Sequence, residues 1–323
     1  MHPFACPLLA IAGWAIAGAC HGSTDVPPSA LQDAGVPARA ATATLTSSAA
    51  QRQAAGTAYR PVDWRTGAVV AAGLAGVAAY GMTQWWQDGF TGRFRTVDED
   101  WFSRGTESGG ADKLGHAFST YLGSRGLTAA FEALGHDPES ARRLGVATTL
   151  ITFAGIEVAD GFSRTYRFSK EDVAMNVAGA ALGYAMDRYP GLDELVDFRL
   201  LYRRSSIGGR RSSWDPAGDY SGQTYLLALK ASGVPALRQR PLLRYLELAV
   251  GYRARGYERD RGQLIDPEAR RRDVYVGVSL NVSRLLDDTV FANRPRSWGQ
   301  RLTSGVLEFV QVPGTAALHG ERL

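Results

Sequence analysis

Asp112 and His116 form the first pair of side chains in the sequence whose spacing could support chemistry. They lie four residues apart, so on a helix they share one face, whereas Lys113 points about 100 degrees away. A carboxylate beside an imidazole can orient the ring for proton transfer or join it in binding a metal. The structural alternative is that Asp112, which follows a Gly-Gly-Ala stretch, caps a helix and leaves His116 as a hydrogen-bonded, partly buried side chain.

A second pair of carboxylates, Glu157 and Asp160, lies three residues apart at the end of a mostly apolar segment. Both belong to the C-terminus of a predicted helix, where negative charge opposes the helix dipole. A compensating cation is therefore expected, and the candidates are Lys113, Arg164, Arg167 or a metal ion.

A third motif begins at Ser169, where the sequence Ser-Lys-Glu-Asp has the pattern of a capping box that starts another helix. Along that helix Asp172, Asn176, Gly179 and Gly183 form one stripe with polar groups at the top and glycines below. The stripe suits close packing against another helix, and we expect its polar end to meet the first motif. We use the name polar cluster for the residues that these three helices would bring together in a binding or structural role: Asp112, Lys113, His116, Glu157, Asp160, Ser169, Asp172 and Asn176.

The order and spacing of the three motifs resemble those of a known bacterial family. The pattern is Asp112-Lys113-x-x-His116, then Glu157-x-x-Asp160-Gly161, then Phe168-Ser169-x-x-Asp172-x-x-x-Asn176-x-x-Gly179. It is similar to that of the YfiM-like predicted lipoproteins, a domain of unknown function, and more remotely resembles the VanZ-like membrane proteins. The resemblance covers roughly residues 85–199. It implies an envelope location and a repeatedly used polar cluster, without an established activity.

Four predicted helices position these motifs, at 67–86, 113–133, 141–158 and 171–187. Segment 67–86 contains about twenty uncharged residues and ends in Trp85 and Trp86. This length is sufficient to cross a bilayer, and tryptophans are common at membrane interfaces. The alternative is a buried helix that packs closely through its glycines.

Beyond Pro190 the sequence changes to an alternation of period two, which predicts strands at 225–230, 245–257 and 274–285. Aliphatic residues alternate with small or polar ones, so one face is expected to be apolar and the other wet. We predict an α+β fold, with a compact bundle of about four helices followed by a small antiparallel β region of three to four strands. An outer-membrane barrel hairpin is the alternative for the strands.

The N-terminus predicts export. Residues 4–19 are apolar and end in small residues directly before Cys20, which is typical of a secretory signal peptide and resembles a lipidation site. We therefore predict a signal peptide at 1–19, lipidation of Cys20, and a flexible tether at 20–59 that is rich in Ala, Ser, Thr and Pro. The remaining chain divides into a helical YfiM-like domain at 60–200 and an antiparallel β region with a tail at 201–323.

Composition is that of a globular protein, with 323 residues, 45% hydrophobic content and a net charge of +4. Basic clusters occur at Arg203-Arg204, Arg210-Arg211 and Arg270 to Arg272. They lack interleaved aromatic residues, so no nucleic-acid partner is predicted. The expected location is the periplasmic face of a bacterial membrane, the outer rather than the inner one. The membrane partner would be reached through the lipid anchor or the apolar helix 67–86.

Three functions are compatible with these features. The first is a non-enzymatic envelope protein with a structural role or a role in binding a lipid or cell-wall headgroup. The second is a metal-dependent hydrolase or lipid-modifying enzyme, for which one histidine with several carboxylates favours a divalent metal such as Mg or Mn. The third is an outer-membrane barrel component.

Overall fold

The structure is a computed structural model of the chain. It describes residues 63–106, 108–205, 217–257, 270–295 and 297–323. The predicted signal peptide, the tether and the lipidation site Cys20 lie outside these residues. In the part that is described, helices are followed by an antiparallel sheet, which confirms the α+β class.

The first half of the described chain folds into four long helices: α1 (Trp64–Gln84), α2 (Ala111–Ala133), α3 (Pro138–Phe162) and α4 (Lys170–Arg188). Side-chain caps set three of the starts, because Asp63, Asp137 and Ser169 each accept a hydrogen bond from a backbone N–H in the first turn of their helix. Helix α2 instead begins after Gly110 in the left-handed region at φ 84°, without a side-chain cap. Asp112 is therefore not the cap of α2, and that prediction is wrong.

Helix α2 is the centre of the bundle and packs against both α3 and α4. Its approach to α4 is close because Gly179 lies directly over the carbonyl oxygen of Ala117. Farther along, Gly183 lies against the hydroxyl of Ser124. The glycine stripe of α4 thus packs against another helix, as the sequence predicts.

Helix α1 corresponds to the predicted helix 67–86 and leaves Trp85 and Trp86 just beyond its end. It is held at both ends, where Thr66 Oγ1 lies 2.7 Å from His136 Nε2 and Trp86 Nε1 donates to Asp160 at 2.6 Å. Between them α1 is largely exposed, and only 11% of its most apolar 18-residue stretch is buried. The alternative of a buried helix packed through its glycines holds only at Gly81, which is buried against the ring of Trp86, because Gly73 and Gly76 have open space around them.

The second half forms one sheet in which the described strands are all antiparallel and adjacent in chain order: β3 (Val196–Tyr202), β4 (Gln223–Lys230), β5 (Leu246–Arg255), β6 (Arg271–Leu280) and β7 (Ala316–Arg322). The sheet has more described strands than the three to four predicted, because β3 and β7 were not among the predicted segments. The third predicted strand also ends early, since Asn281 caps a helix instead of continuing it.

Several short elements complete the described structure. A two-residue strand β1 (Thr96–Val97) pairs in parallel with β2 (Phe168–Ser169), directly before α4. The short helices are α5 (Pro190–Leu195), α6 (Pro235–Arg238), α7 (Val282–Asp288) and α8 (Trp298–Leu307). After α8, Val310 forms a bridge to β3 at Leu200 just before the chain enters β7.

The sheet and the helices share one aromatic core. Phe198 of β3 meets Phe118 and Tyr121 of α2 with ring centroids 5.4 and 5.7 Å apart. Phe309 packs on Tyr121 at 5.5 Å, and Tyr225 of β4 is also buried against this group. Because aromatic rings bury large areas, this contact joins the two halves of the chain.

The sequence predicts one apolar face and one wet face for the sheet, and the structure differs from this prediction. The alternate positions of β5, such as Glu247, Ala249 and Gly251, are buried, whereas Leu248 and Val250 are exposed. Charged side chains on the buried face satisfy one another, as Arg199 donates to both oxygens of Glu247 at 2.7 and 2.9 Å. We call this the inner face; its polar network consists of Arg199, Asp197, Glu247, Ser279 and Gln311.

Gly179→Ala is expected to lower the free energy of unfolding by about 1–3 kcal/mol, because an added methyl group meets backbone of α2 rather than a movable side chain. Chemical denaturation followed by circular dichroism measures the change. Gly155→Ala is the matched control, since α3 leaves open space there and alanine should stabilise by up to about 1 kcal/mol. Equal stability of the two variants would contradict the close packing of α4 on α2.

Candidate functional site

The polar cluster assembles where four segments end or begin. The N-terminus of α2 brings Asp112, Lys113 and His116, and the C-terminus of α3 brings Glu157. Strand β2 and the first turns of α4 add Ser169, Asp172 and Asn176. The pairing of β1 with β2 draws the loop before α2 against the same place. The convergence expected from the sequence is therefore present in the structure.

Lys113 is the fully buried centre of one half of the cluster. Its ammonium lies 2.8 Å from Asp112 Oδ2 and 2.8 Å from Asp172 Oδ1. A third ion pair joins it to Glu99. Three carboxylates thus surround one buried cation, which is the arrangement needed to offset its loss of hydration.

Glu99 is a member of this group that the sequence analysis missed. It belongs to an acidic loop, Asp98-Glu99-Asp100, which has the composition of a solvated surface segment. Only the β1–β2 pairing brings it inward, where Ser169 Oγ also lies 3.4 Å from its carboxylate. No short-range sequence signal distinguishes Glu99 from its exposed neighbour Asp98, which pairs with Lys170.

His116 is the centre of the other half. Its Nδ1 lies 3.1 Å from Asn176 Oδ1 and 3.6 Å from Glu157 Oε1, and its Nε2 lies 3.9 Å from Asp172 Oδ1. The ring of Phe153 meets the imidazole edge to face at 6.2 Å. About a fifth of the His116 side chain is exposed, at 19%, whereas the side chain of Lys113 is fully buried.

Ser169 connects the C-terminus of α3 to the start of α4. Its backbone N–H donates to Glu157 Oε2 at 3.3 Å, and its hydroxyl accepts from the N–H of Asp172 at 3.2 Å. The same hydroxyl lies 3.2 Å from the buried carboxylate of Glu171. Ser169 is therefore a cap and a bridge within the cluster rather than an exposed nucleophile.

Asp160 lies at the edge of the cluster, where it accepts its hydrogen bond from the indole of Trp86. The predicted compensation by arginines is not what the structure shows. Arg164 donates to the carbonyl oxygen of Phe90 instead, and Arg167 is exposed. The ion-pair partner of Glu157 among the described residues is His116, while Lys113 pairs with Glu99, Asp112 and Asp172 instead.

Burial determines the protonation of these groups. It raises the pKa of Asp112 to about 6, with the neighbouring Asp172 adding to the effect, and it raises the pKa of Glu157 to about 7. The pKa of Asp160 also rises to about 6 through burial, against the hydrogen bond from Trp86. Burial alone lowers the pKa of His116, but three nearby carboxylates outweigh it and the net direction is upward.

The two halves of the cluster differ in what they can do. Around Lys113 the ammonium is closed into ion pairs with three carboxylates, although the second oxygen of Asp112, Oδ1, has no hydrogen-bond partner among the described residues. Around His116 two buried atoms, Glu157 Oε1 and Asn176 Nδ2, have no hydrogen-bond partner among the described residues. His116, Glu157 and Asp172 can each offer one ligand atom within 4.8 Å of the others. This half has the geometry to hold a cation or a shared proton.

Lys113→Met is expected to lower the free energy of unfolding by about 3–5 kcal/mol near pH 7, because it leaves buried carboxylates without their counter-charge. Urea denaturation measures the loss. The folded-state pKa of Asp112 is raised to about 6, so this carboxyl takes up its proton in the folded state first. The stability contributed by protonated Asp112 is lost as pH rises through 6. The loss of unfolding free energy caused by Lys113→Met should therefore be smaller near pH 5 than near pH 7.

Lys170→Met is the control for this experiment, because Lys170 is exposed and its closest ion pair, at 3.0 Å, is with the exposed Asp98, whereas the buried carboxylate of Glu171 is farther away at 3.8 Å. Its removal should cost less than about 1 kcal/mol at either pH. Similar losses for both lysine variants would show that the ion pairs of Lys113 do not support the fold.

Comparison with known proteins places the cluster within one family pattern. Residues 98–188 match the model of a family described as "Predicted periplasmic lipoprotein (DUF2279)". The match covers less than a third of the chain, yet it contains every residue of the polar cluster and Glu99. The searches of curated proteins and of solved structures found no match. The helical part of this chain is thus similar to a bacterial lipoprotein family of unknown function, which supports an exported location in the cell envelope.

Proposed function

We propose that the protein is a membrane-associated envelope protein whose helix α1 inserts into the membrane and whose polar cluster fixes the helices rather than catalysing a reaction. The observation that carries this proposal is the exposure of α1. It is long and apolar, yet it buries little of itself against the rest of the chain. A soluble helix of this composition would be expected to lie in a core.

The ends of α1 also suit a membrane. Its 21 residues span about 31 Å, close to the thickness of the hydrocarbon layer. Trp64 at its start is 79% exposed and half-buried Trp85 follows its end, whereas Trp86 is buried and bonds to Asp160. Tryptophans at both ends of an apolar helix match the two interfaces of a bilayer. Helix α3 is also apolar enough to span, but it packs on α2 and carries the buried Glu157.

The closed ion pairs of Lys113 support a structural role for the cluster. A headgroup would have to displace a carboxylate from Lys113, and the ammonium has no exposed surface through which to do so. The cluster also connects to α1 through the Trp86–Asp160 hydrogen bond. We therefore assign it to holding the bundle and the end of α1 in one arrangement.

The similarity to predicted lipoproteins favours a second attachment at Cys20. The resemblance to the YfiM-like family supports the same reading, and the VanZ-like pattern agrees with a membrane setting. A lipidated Cys20 would place α1, about forty residues later in the chain, close to the membrane that holds the lipid. We propose the outer membrane as that membrane.

The double variant Leu74→Asp with Val77→Asp tests the insertion of α1 in a Cys20→Ser background. Each aspartate near the middle of a membrane helix costs about 2.5–3.5 kcal/mol. We expect the Cys20→Ser chain to stay in the membrane pellet after alkaline carbonate, and the triple variant to be released. The control is Gln87→Asp in the same background, which lies beyond the helix and should leave the protein in the pellet. Release of Cys20→Ser alone would contradict insertion of α1.

A second candidate function, divalent-cation binding, is favoured by one specific observation. Glu157 is 1% exposed and its Oε1 has no hydrogen-bond partner among the described residues, although it points towards His116. With Asp172 these groups form a set of one nitrogen and two oxygen ligands. Such an oxygen-rich set suits Mn or Mg better than structural zinc.

Titration of the purified full chain with Mn²⁺ tests this second function by calorimetry or electron paramagnetic resonance. Glu157→Gln should weaken binding by at least about tenfold, because it replaces a charged ligand while keeping its shape. Asp160→Asn is the matched control, since Asp160 bonds to Trp86 and is not in the ligand set. Absence of Mn²⁺ binding, or equal weakening in both variants, would exclude the site.

A further inference from the structure

The outer face of the sheet carries a contiguous group of exposed aliphatic side chains. Leu229, Leu248 and Val278 are paired across β4, β5 and β6, and the next row on the same face consists of Leu227, Val250 and Val276. Together with Leu246 we call these seven residues the aliphatic patch. Each of them is between 39% and 52% exposed.

The exposure of this patch does not result from a one-residue shift of the strands, which would exchange their two faces. The row that follows it on the same face, Tyr225 and Tyr252, turns towards α2, where Tyr225 lies in the aromatic core. The helices therefore cover the Tyr225 end and the β3 side of this face, where buried Val196 and Phe198 pair with Leu229 and Leu227, and leave the part on β4, β5 and β6 open. On the inner face the charged network of Arg199 and Glu247 is buried. Strands that contact lipid have this arrangement, with polar groups on the inner face and aliphatic groups on the outer face.

A basic and apolar loop borders the patch. Between α6 and β5 the chain exposes Leu242 at 79% and Leu243 at 42%, next to Leu246 of the patch. Arg240 is exposed in the same loop, whereas Arg244 stacks its guanidinium on the ring of Tyr245 and pairs with Asp288 at 3.0 Å. Leucines beside arginines and an aromatic ring suit the boundary between acyl chains and anionic headgroups.

We propose that the aliphatic patch is a second membrane-contacting surface, which dips into one leaflet of a lipid bilayer with the arginine loop at the headgroups. The inference rests on the proposed membrane association, because α1 would bring the sheet close to a bilayer. The patch is about five residues long on β5, roughly 17 Å, and three strands wide, which fits partial entry into a leaflet rather than a complete span. A patch of this extent on a monomer in water calls for a covering partner.

The test uses the full chain with Cys6→Ser and Cys20→Ser, and with Val250→Cys labelled by an environment-sensitive nitrobenzoxadiazole dye. Vesicles of phosphatidylethanolamine and phosphatidylglycerol are then added. We expect the emission to shift to shorter wavelength and to be quenched by nitroxide-labelled acyl chains. The same dye at Lys170→Cys, an exposed site at the polar cluster, should show neither effect.

The outcomes separate the two proposals. Failure of the protein to float with vesicles would contradict the proposed membrane association itself. Flotation without a change at Val250→Cys would overturn the role of the patch and leave α1 in place. A blue shift before lipid is added, together with a dimer in sedimentation, would show that a second copy covers the patch and would also overturn the inference.

Partitioning provides a second readout that does not depend on the dye. Val250→Asp with Val276→Asn should reduce the vesicle partition coefficient by at least about tenfold, because two valines lose their burial in lipid and the opposed pair carries only one charge. Both side chains are exposed, so the fold should tolerate the change, and an unchanged thermal unfolding transition verifies this. Unchanged partitioning of the folded variant would count against the proposal.

Discussion

The arrangement of the helical half of the molecule depends on one constraint, which is that the buried ammonium of Lys113 needs carboxylates around it. A buried cation is costly unless carboxylates replace its water, and each of its three partners comes from a different position in the chain. Glu99 must arrive from a loop, Asp172 from the first turn of α4, and Asp112 from α2 itself. Pairing of β1 with β2, capping of α4 by Ser169 and the glycine contact of α4 on α2 all serve to bring these groups to one point.

The same solution recurs at the opposite end of α2. Arg125 contacts Asp187 of α4 at 2.9 Å and Asp193 of α5 at 2.8 Å, and it also pairs with Glu308 after α8. This cation therefore joins the bundle to the start of the sheet and to the C-terminal part of the chain. Arg199 performs the corresponding role inside the sheet. Because each cation draws ligands from separate elements, the ionic contacts specify which elements meet, while the aromatic core supplies apolar burial.

The helices and the convergence of three motifs could be predicted from the sequence, because capping residues and the spacing of four along a helix are local signals. Ser169 and the glycine stripe of α4 are examples in which the local pattern and the packing agree. Glu99 could not be predicted, since its burial depends on a parallel pairing between residues about seventy positions apart. Strand β7 was missed because its Leu318-His319-Gly320-Glu321 sequence lacks clear alternation, and it is ordered by pairing with β6.

Alternation along β5 correctly separated two kinds of side chain, but it could not say which kind would face water. That choice depends on what surrounds the sheet, because period-two alternation is the same whether the apolar side meets a core, lipid or another chain. Here Glu247 is buried because Arg199 and Ser279 satisfy it from neighbouring strands. Once charged groups occupy the inner face, the aliphatic side chains of the same strands must lie on the opposite face, which the helices cover only in part, over β3 and Tyr225. The buried ionic network and the exposed aliphatic patch thus both follow from one orientation of the sheet. The free-energy cost of exposing the patch is lowest when its surroundings are apolar.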